Sequence, residues 1–267
     1  GCEIGLRPID LHLSSLRLMG AQIETEGGVL SCRCPDGLHG EKITLSFPSV
    51  GATENILIAA ASAEGETVIL NAAREPEIAD LADFLCSCGA HISGADSGEI
   101  KVCGVKKLHS AEHTVIPDRI IASTYMAAAA VTGGDVRILD TRAEHITPVI
   151  PVFEQAGCKV DCGENSVHIL APVRLRSVQT VRTMPYPGFP TDSQAAVMAM
   201  LSVAHGTSVM IENIFENRYR HVRELCRLGA DIMTEGKVAV IKGVETLTGA
   251  CVCAADLRAG TALAVAG

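Results

Sequence analysis

The sequence predicts an α/β protein built from repeated units of about 70 residues, and two patterns carry that prediction. Gly20, Gly89, Gly157 and Gly229 each follow an apolar-periodic helix and open a stretch such as Gly89-Ala90-His91-Ile92; they stand 69, 68 and 72 residues apart. In step with them, Phe47-Pro48-Ser49, Ile116-Pro117-Asp118 and Phe189-Pro190-Thr191 each open a small-residue helix. That helix closes on Gly and a β-branched strand, as in Ala196 to Ile211. Such a fixed period marks one supersecondary unit used again and again.

The first copy shows how each element follows from its residues. Asp10 to Met19 places Leu11, Leu13, Leu16 and Leu18 along a helix, and Gly20 supplies the left-handed cap that ends it. Ile23 starts an extended stretch, Gly27-Gly28 makes a turn, and Val29 to Arg33 returns. Ile43 to Phe47 then leads into Pro48 and the next helix. Antiparallel pairs are thus expected to alternate with helices, each helix stripe covering a sheet face. The longest apolar run, Met126 to Val131, reads as a short buried helix, and a β segment is expected to end at Ile116. A seam between two domains is expected at Ile116-Pro117, after the Lys106-Lys107 turn, giving residues 1–116 and 117–267. Residue 1 is the Gly of a loop with no strand before it, and Thr261 to Gly267 stops within a small-residue helix, so a fragment of a longer chain is expected.

Composition narrows the function classes. The chain is 48% apolar with five Phe, three Tyr and no Trp, so its core must be filled by Ala, Val, Ile and Leu between closely packed elements. No apolar run approaches the roughly 18 residues that cross a bilayer, and no membrane partner is expected. A net charge of -9 with 22 scattered Lys and Arg argues against nucleic acid as a partner. A cleft where two or three arginines converge can still hold an anion, because field focusing is local. Eleven cysteines, an odd number, in a chain this long read as free thiols in a reducing cytoplasm rather than a disulfide framework. The spacings Cys32-x-Cys34, Cys86-x-Cys88 and Cys251-x-Cys253 do not suit zinc, and no metal is expected. His109 and His113, beside the β segment, read as solvated.

Four places could carry chemistry. Cys2 lies in Gly1-Cys2-Glu3-Ile4-Gly5-Leu6-Arg7-Pro8, where Arg7 would favour its thiolate; it is either a nucleophile or one of many ordinary thiols. Ser49-Val50-Gly51 opens a helix after a strand, either as a phosphate site or as a plain Ser N-cap. Asp192 is either a general base or a first-turn carboxylate serving its own helix. The helix starts at Asp118-Arg119, Asp192 and Asp256-Leu257-Arg258 would place Arg119, Asp192 and Arg258 at like ends, around one anion. Glu216-Asn217-Arg218, with Arg220 and His221, reads as a polar, basic turn before the helix His221 to Leu228, and Met184-Pro185-Tyr186-Pro187-Gly188 as a rigid turn feeding the Asp192 helix.

Taken in order, Gly1 to His12, Ser49 to Thr53, Ala73-Arg74-Glu75-Pro76-Glu77-Ile78, Pro117 to Ile120, Phe189 to Asp192, Phe215 to Arg218 and Asp256 to Ala259 resemble the UDP-N-acetylglucosamine enolpyruvyl transferase family along the whole chain. The cysteine loop sets that family apart from the related shikimate-pathway transferases. The resemblance implies a pair of inside-out α/β barrel domains of repeated units around buried helices, with substrates bound between them. The first domain, 1–116, would carry the cysteine loop, and the second, 117–267, the general base.

The implied reaction moves the enolpyruvyl group of phosphoenolpyruvate to the 3-hydroxyl of UDP-N-acetylglucosamine and releases phosphate, the first committed step of peptidoglycan synthesis. It implies no cofactor, no metal, a cytoplasmic monomer and two small-molecule partners. By motif, Cys2 is implied as proton donor and the site of fosfomycin alkylation, and Asp192 as the base at the 3-hydroxyl. Arg7 and Arg258 are implied as anion-binding, with Arg119 and Arg218 as further candidates. Arg7, Pro8, Ile9, Asp10 and Leu11, together with Ser49, Val50 and Gly51, correspond to nucleotide-sugar segments, and Ile214 to a residue beside the sugar. Phe47 stands where many members carry a polar residue. Two other functions fit the same residues: a catalytically silent nucleotide-sugar binding module, and a shikimate-type transferase in which Cys2 has no task.

Overall fold

The computed structural model describes residues 8–267, so the expectations for Cys2 and Arg7 lie outside the described residues. These residues divide into two compact units, one ending at Ile116 and the other running Pro117–Gly267.

The first unit opens with α1 (Asp10–Leu18), the hairpin β1 (Gln22–Glu26) and β2 (Val29–Arg33), and the short β3 (Lys42–Thr44). It continues through α2 (Val50–Ala60), β4 (Glu66–Leu70), α3 (Pro76–Ser87), β5 (His91–Ser93) and β6 (Glu99–Cys103). Gly20 ends α1 at φ 101°, the left-handed conformation its position predicts. The sheet order is β3-β4-β6-β5, and β3 runs parallel to β4 because α2 forms the crossover between them. The other two pairs are antiparallel, with Ile69 opposite Ile100 and Ile92 opposite Val102. Leu45, Ile56, Leu57, Ile69, Ile78 and Ile100 fill the space between this sheet and α2 and α3.

The second unit contains α4 (Arg119–Val131), β7 (Asp135–Leu139), α5 (Ala143–Ile146), α6 (Ile150–Gln155), β8 (Lys159–Cys162) and β9 (Ser166–Leu170). Then follow β10 (Thr180–Arg182), α7 (Thr191–Leu201), β11 (Thr207–Ile211), α8 (Val222–Arg227), β12 (Asp231–Glu235), β13 (Val238–Lys242) and α9 (Leu257–Ala266). Its four-stranded sheet, β10-β11-β13-β12, repeats the topology of the first unit, again with a parallel outer pair. A second sheet has the order β7-β9-β8 and is antiparallel. Every residue of α7 from Ser193 to Leu201 is buried, as befits a helix apolar on all sides with structure packed around it.

The repeat extends to individual main-chain contacts. Gly104 N donates to Gly65 O at 3.0 Å, and Gly243 N donates to Gly206 O at 3.0 Å in the second unit. A Cβ at Gly104 would lie 1.8 Å from Ala63 O, and one at Gly243 would lie 1.6 Å from Ala204 O. No side chain fits either position.

Four expectations are corrected. The sheets are mixed rather than built of antiparallel pairs alone, since each crossover helix returns the chain in the same direction. Met126 to Val131 is the second half of a 13-residue helix, α4, whose Asp118 cap sets its start seven residues earlier at Arg119. No strand ends at Ile116; its N–H donates to Asp80 Oδ1 at 3.4 Å as the chain crosses from β6 to α4. His113 is not solvated: it pairs with Asp80 Oδ1 at 2.9 Å and meets the Phe84 ring edge-on, which shields it from water. Among the described residues, no helix is long and apolar enough to cross a membrane.

Candidate active site

Three helices of the second unit begin together. Ser123, in the second turn of α4, shares a 2.7 Å hydrogen bond with Ser193, in the first turn of α7. Arg258, in the first turn of α9, donates through Nε to Asp192 Oδ1 at 2.9 Å, which brings that helix start alongside. Two of the three starts carry side-chain caps. Asp118 Oδ1 accepts from Ile120 N and Ile121 N, and Asp256 Oδ1 accepts from Arg258 N and Ala259 N. Aligned N-terminal ends concentrate positive potential, so an acceptor placed there is stabilised.

That acceptor is Asp192. Its Oδ1 also receives Arg218 Nη2 at 2.6 Å. The Arg218 side chain is 4% exposed and lies over the Phe215 ring, 5.4 Å from its centroid, whereas the Asp192 side chain is 42% exposed. Burial pushes the Asp192 carboxyl up, but the hydrogen bonds and charges of Arg258 and Arg218 outweigh it and hold the group below its ordinary value. Asp192 is therefore ionised at neutral pH, and its contacts are with guanidinium groups of two other segments.

Arg119 stands at the start of α4 as the sequence places it, and its guanidinium lies over the Tyr186 ring at 5.7 Å. Tyr186 belongs to the turn before α7 and donates its hydroxyl to Glu144 O at 3.2 Å. Ile214 is half-buried, and its N–H donates to Glu212 Oε1 at 2.8 Å.

In the first unit, the two segments expected around a nucleotide-sugar come together. Pro8 and Ile9 are exposed ahead of α1, Asp10 is its first residue, and Leu11 is half-buried. Ser49 caps α2 by accepting from Ala52 N at 3.3 Å, and Val50 and Gly51 form its first turn. Asn55 joins the segments by bonding His12 Nδ1 and Gly51 O, both at 2.9 Å. A Cβ on Gly51 would meet His12 Cε1 at 3.1 Å, so the glycine permits the close approach. Phe47 is exposed beside this start.

A family model described as EPSP synthase (3-phosphoshikimate 1-carboxyvinyltransferase) matches residues 1–267. The chain belongs to this family. It is 50% identical over 267 residues to UDP-N-acetylglucosamine 1-carboxyvinyltransferase 2 of Caldanaerobacter subterraneus, covering all of this chain and 64% of that protein. It is 53% identical to carboxyvinyltransferase 1 of the same organism, with 64% of that protein covered, and 50% identical to the Finegoldia magna protein, with 63% covered. The chain thus spans less than two thirds of the length of these relatives. Among solved structures, the enolpyruvyl transferase NikO from Streptomyces tendae superposes with a TM-score of 0.88 at 23% identity, over 97% of this chain and 64% of that one. EPSP synthase from Acinetobacter baumannii gives a TM-score of 0.72 at 24% identity, with the same coverage. The fold is the inside-out α/β fold of enolpyruvyl transferases, as the repeats and motifs lead one to expect.

One residue that shapes the site of this carboxyvinyltransferase-family chain carries no sequence signal of its own. Glu212 is 1% exposed and holds four donors: Oε1 accepts from Thr183 Oγ1, Ile214 N and Phe215 N, and Oε2 from Thr191 Oγ1. It ties the ends of β10 and β11 to the first residue of α7, and so sets the loop carrying Ile214 and Arg218 against the helix carrying Asp192. The position could have been found by aligning the repeats, because Asn71 follows β4 as Glu212 follows β11 and bonds Leu45 O across its own sheet. His221, 1% exposed, is the N-cap residue of α8 three positions after Arg218.

Proposed function

We propose that this chain is part of a UDP-N-acetylglucosamine 1-carboxyvinyltransferase, which moves the enolpyruvyl group of phosphoenolpyruvate to the sugar 3-hydroxyl and releases phosphate. The convergence of Arg218 and Arg258 on Asp192 at the joined starts of α4, α7 and α9 carries this reading. It provides a carboxylate to take a proton and two cations to hold an anion within one small volume. The relatives at about 50% identity support the choice of nucleotide-sugar over shikimate 3-phosphate.

In this reading Asp192 accepts the proton of the 3-hydroxyl as its oxygen bonds to C2 of phosphoenolpyruvate, while the thiol of Cys2 gives its proton to C3. The tetrahedral adduct then loses a proton from C3, the C2–O bond to phosphate breaks, and the double bond re-forms. Arg218 and Arg258 neutralise the phosphate as it departs. A phosphate that draws a guanidinium away from Asp192 also strengthens that carboxylate as a base, so substrate binding itself prepares the proton transfer. Pro8 to Leu11 and Ser49 to Gly51, linked by His12 and Asn55, are proposed to hold the nucleotide-sugar, with Ile214 beside the sugar and Arg7 and Arg119 as further anion contacts. Residues 1–116 and 117–267 are read as parts of the two repeat domains. Peptidoglycan synthesis, a cytoplasmic location and a monomeric state complete the proposal.

The test is phosphate release by this protein from phosphoenolpyruvate with UDP-N-acetylglucosamine. Release that needs both substrates, is lost in Asp192→Asn and is blocked when fosfomycin alkylates Cys2 is the expected result. Saturable nucleotide-sugar binding without release overturns it in favour of a silent binding module. Turnover of shikimate 3-phosphate that survives Cys2→Ser overturns it in favour of the shikimate-type enzyme.

A further inference from the structure

A ring of contacts closes around the proposed base. Asp192 follows Thr191 in the first turn of α7, and the Thr191 hydroxyl donates to Glu212 Oε2 at 2.9 Å. Through Oε1 the same carboxylate accepts the N–H of Ile214 at 2.8 Å, the N–H of Phe215 at 3.1 Å and the Thr183 hydroxyl at 2.9 Å. The Phe215 ring lies against the Arg218 guanidinium, 5.4 Å from its centroid, and Arg218 Nη2 donates back to Asp192 Oδ1 at 2.6 Å. Just past Arg218 the loop is pinned again, where the Tyr219 hydroxyl lies 3.0 Å from both Met210 O and Lys237 O. Glu212 is 1% exposed and Arg218 4%, so water competes little for these bonds.

We infer that Glu212 is the positioning residue of the proposed base: its carboxylate ties Phe215 to Thr191, and with them the seat of Arg218 to the helix start that carries Asp192. This role rests on reading Asp192 as the base. Glu212 acts through its neighbours, since Thr191 precedes Asp192 in the chain and the Phe215 ring supports the Arg218 guanidinium by a cation–π contact. A hydrogen bond weakens steeply as its distance and angle open, so slack at Phe215 loosens the Arg218 bond to Asp192 and leaves Arg258 to hold the carboxylate. Reach decides the role, because one side chain must span from the start of α7 to the loop after β11. Aspartate at 212 keeps the carboxylate but is one methylene shorter, and cannot meet Thr191, Thr183 and the loop N–H groups together. Valine at 191 keeps the shape and cuts only the link to α7.

The experiment compares this chain with Thr191→Val, Thr191→Ser and Glu212→Asp, following the Asp192 carboxyl by carbon-13 NMR as pH is lowered. Each substitution keeps the number of charged side chains, so a moved titration reports the geometry of the Arg218 contact. Arg218 helps to hold that carboxyl below its ordinary value. Thr191→Val and Glu212→Asp are therefore expected to titrate about 0.5 pH or more above the parent, while Thr191→Ser, which keeps the hydroxyl, titrates with it. An Asp192 titration unchanged in a cooperatively melting Thr191→Val protein overturns the inference. So does a Thr191→Ser titration that moves as far as the valine one. Thr191 is only half-buried, so this pair decides the matter even if Glu212→Asp does not fold. If parent protein releases no phosphate while the titrations behave as expected, the reading of the reaction fails and the positioning role stands.

Discussion

Arg218 Nη2 lies 2.6 Å from Asp192 Oδ1, and of the two partners the cation is the one shut away from water. Taking the carboxylate's charge away therefore leaves a buried guanidinium with a poorer acceptor, which costs more than losing an exposed pair. Because Asp192 itself is 42% exposed, solvent screening reduces that cost, and Asp192→Asn is expected to lose about 1–3 kcal/mol. Urea denaturation at neutral pH measures it. The folded-state value of this carboxyl lies below the unfolded one, so the stabilisation is present above the unfolded value and disappears as pH falls through the folded one. Acid titration of stability should accordingly be less steep in the Asn variant. An unchanged acid limb would show that the pair contributes nothing.

His221 adds to acid sensitivity with the same sign, at higher pH. Burial lowers its imidazole from an ordinary 6.5 to about 4, so the unfolded chain takes up a proton between those values while the folded chain does not. Stability attributable to this residue is complete above pH 6.5 and falls as pH drops toward 4, by on the order of 3 kcal/mol. His221→Asn has no proton to take up, and its urea midpoint should fall less between those two pH values. Parallel midpoints for parent and variant across that range would show that the ring is ionised in the folded state.

Much of this arrangement was legible before any coordinates. The glycine period locates the helix ends, as Gly20 and Gly229 show at φ 101° and 94°, because only glycine adopts that conformation without cost. The Pro-opened helices locate the starts of α2, α4 and α7 and so bring Arg119 and Asp192 to like ends, and the Asp256 cap of α9 does the same for Arg258. The parallel pairing of β10 with β11 was hidden, since a three-residue strand has too few side chains to show a period, and its partner lies beyond a helix. Glu212 was hidden for another reason: a buried polar residue is recognised by its partners, and its own come from Thr183 and Thr191, far away in sequence.

Glu212 should prove the most sensitive acidic residue in the second unit. Replacing it by Ala strands two threonine hydroxyls and two main-chain N–H groups in a buried place, an expected loss of about 3–5 kcal/mol. Gln keeps an acceptor for Thr183 and the main chain and can donate to Thr191, whose hydroxyl can turn to accept, so Glu212→Gln should cost less than half as much. Thermal melts of the two variants give the order. Equal losses would mean that charge, rather than the set of acceptors, is what this position supplies.

The repeat makes a paired prediction about glycine. Gly104→Ala and Gly243→Ala each drive a methyl carbon into a main-chain carbonyl, Ala63 O or Ala204 O, at the bond between β6 and β4 or between β13 and β11. Backbone cannot move aside as a side-chain tip can, so each variant should lose about 3 kcal/mol or more. Gly27→Ala is the control, since nothing lies within 4 Å of its added carbon and the remaining cost is that of a positive φ, about 1 kcal/mol. Similar melting curves for Gly243→Ala and Gly27→Ala would show that the chain relaxes around the clash.

Thiol chemistry separates buried from exposed cysteines without any substrate. Burial pushes the Cys158 thiol from 9.0 up to about 11, so at a given pH near 8 its thiolate is about 100-fold scarcer than that of an unshifted cysteine. Access adds to the difference, because Cys158 is 5% exposed while Cys32, Cys103 and Cys251 are open to solvent. Timed iodoacetamide labelling read by peptide mass spectrometry should therefore label those three at least 100-fold faster than Cys158. Denaturant should abolish the contrast, since both burial and the raised value belong to the fold. Labelling of Cys158 at the rate of Cys251 in native protein would mean that the α6–β8 corner opens on the timescale of the reaction, and that its core contacts with Phe153 and Ile169 are weaker than their burial implies.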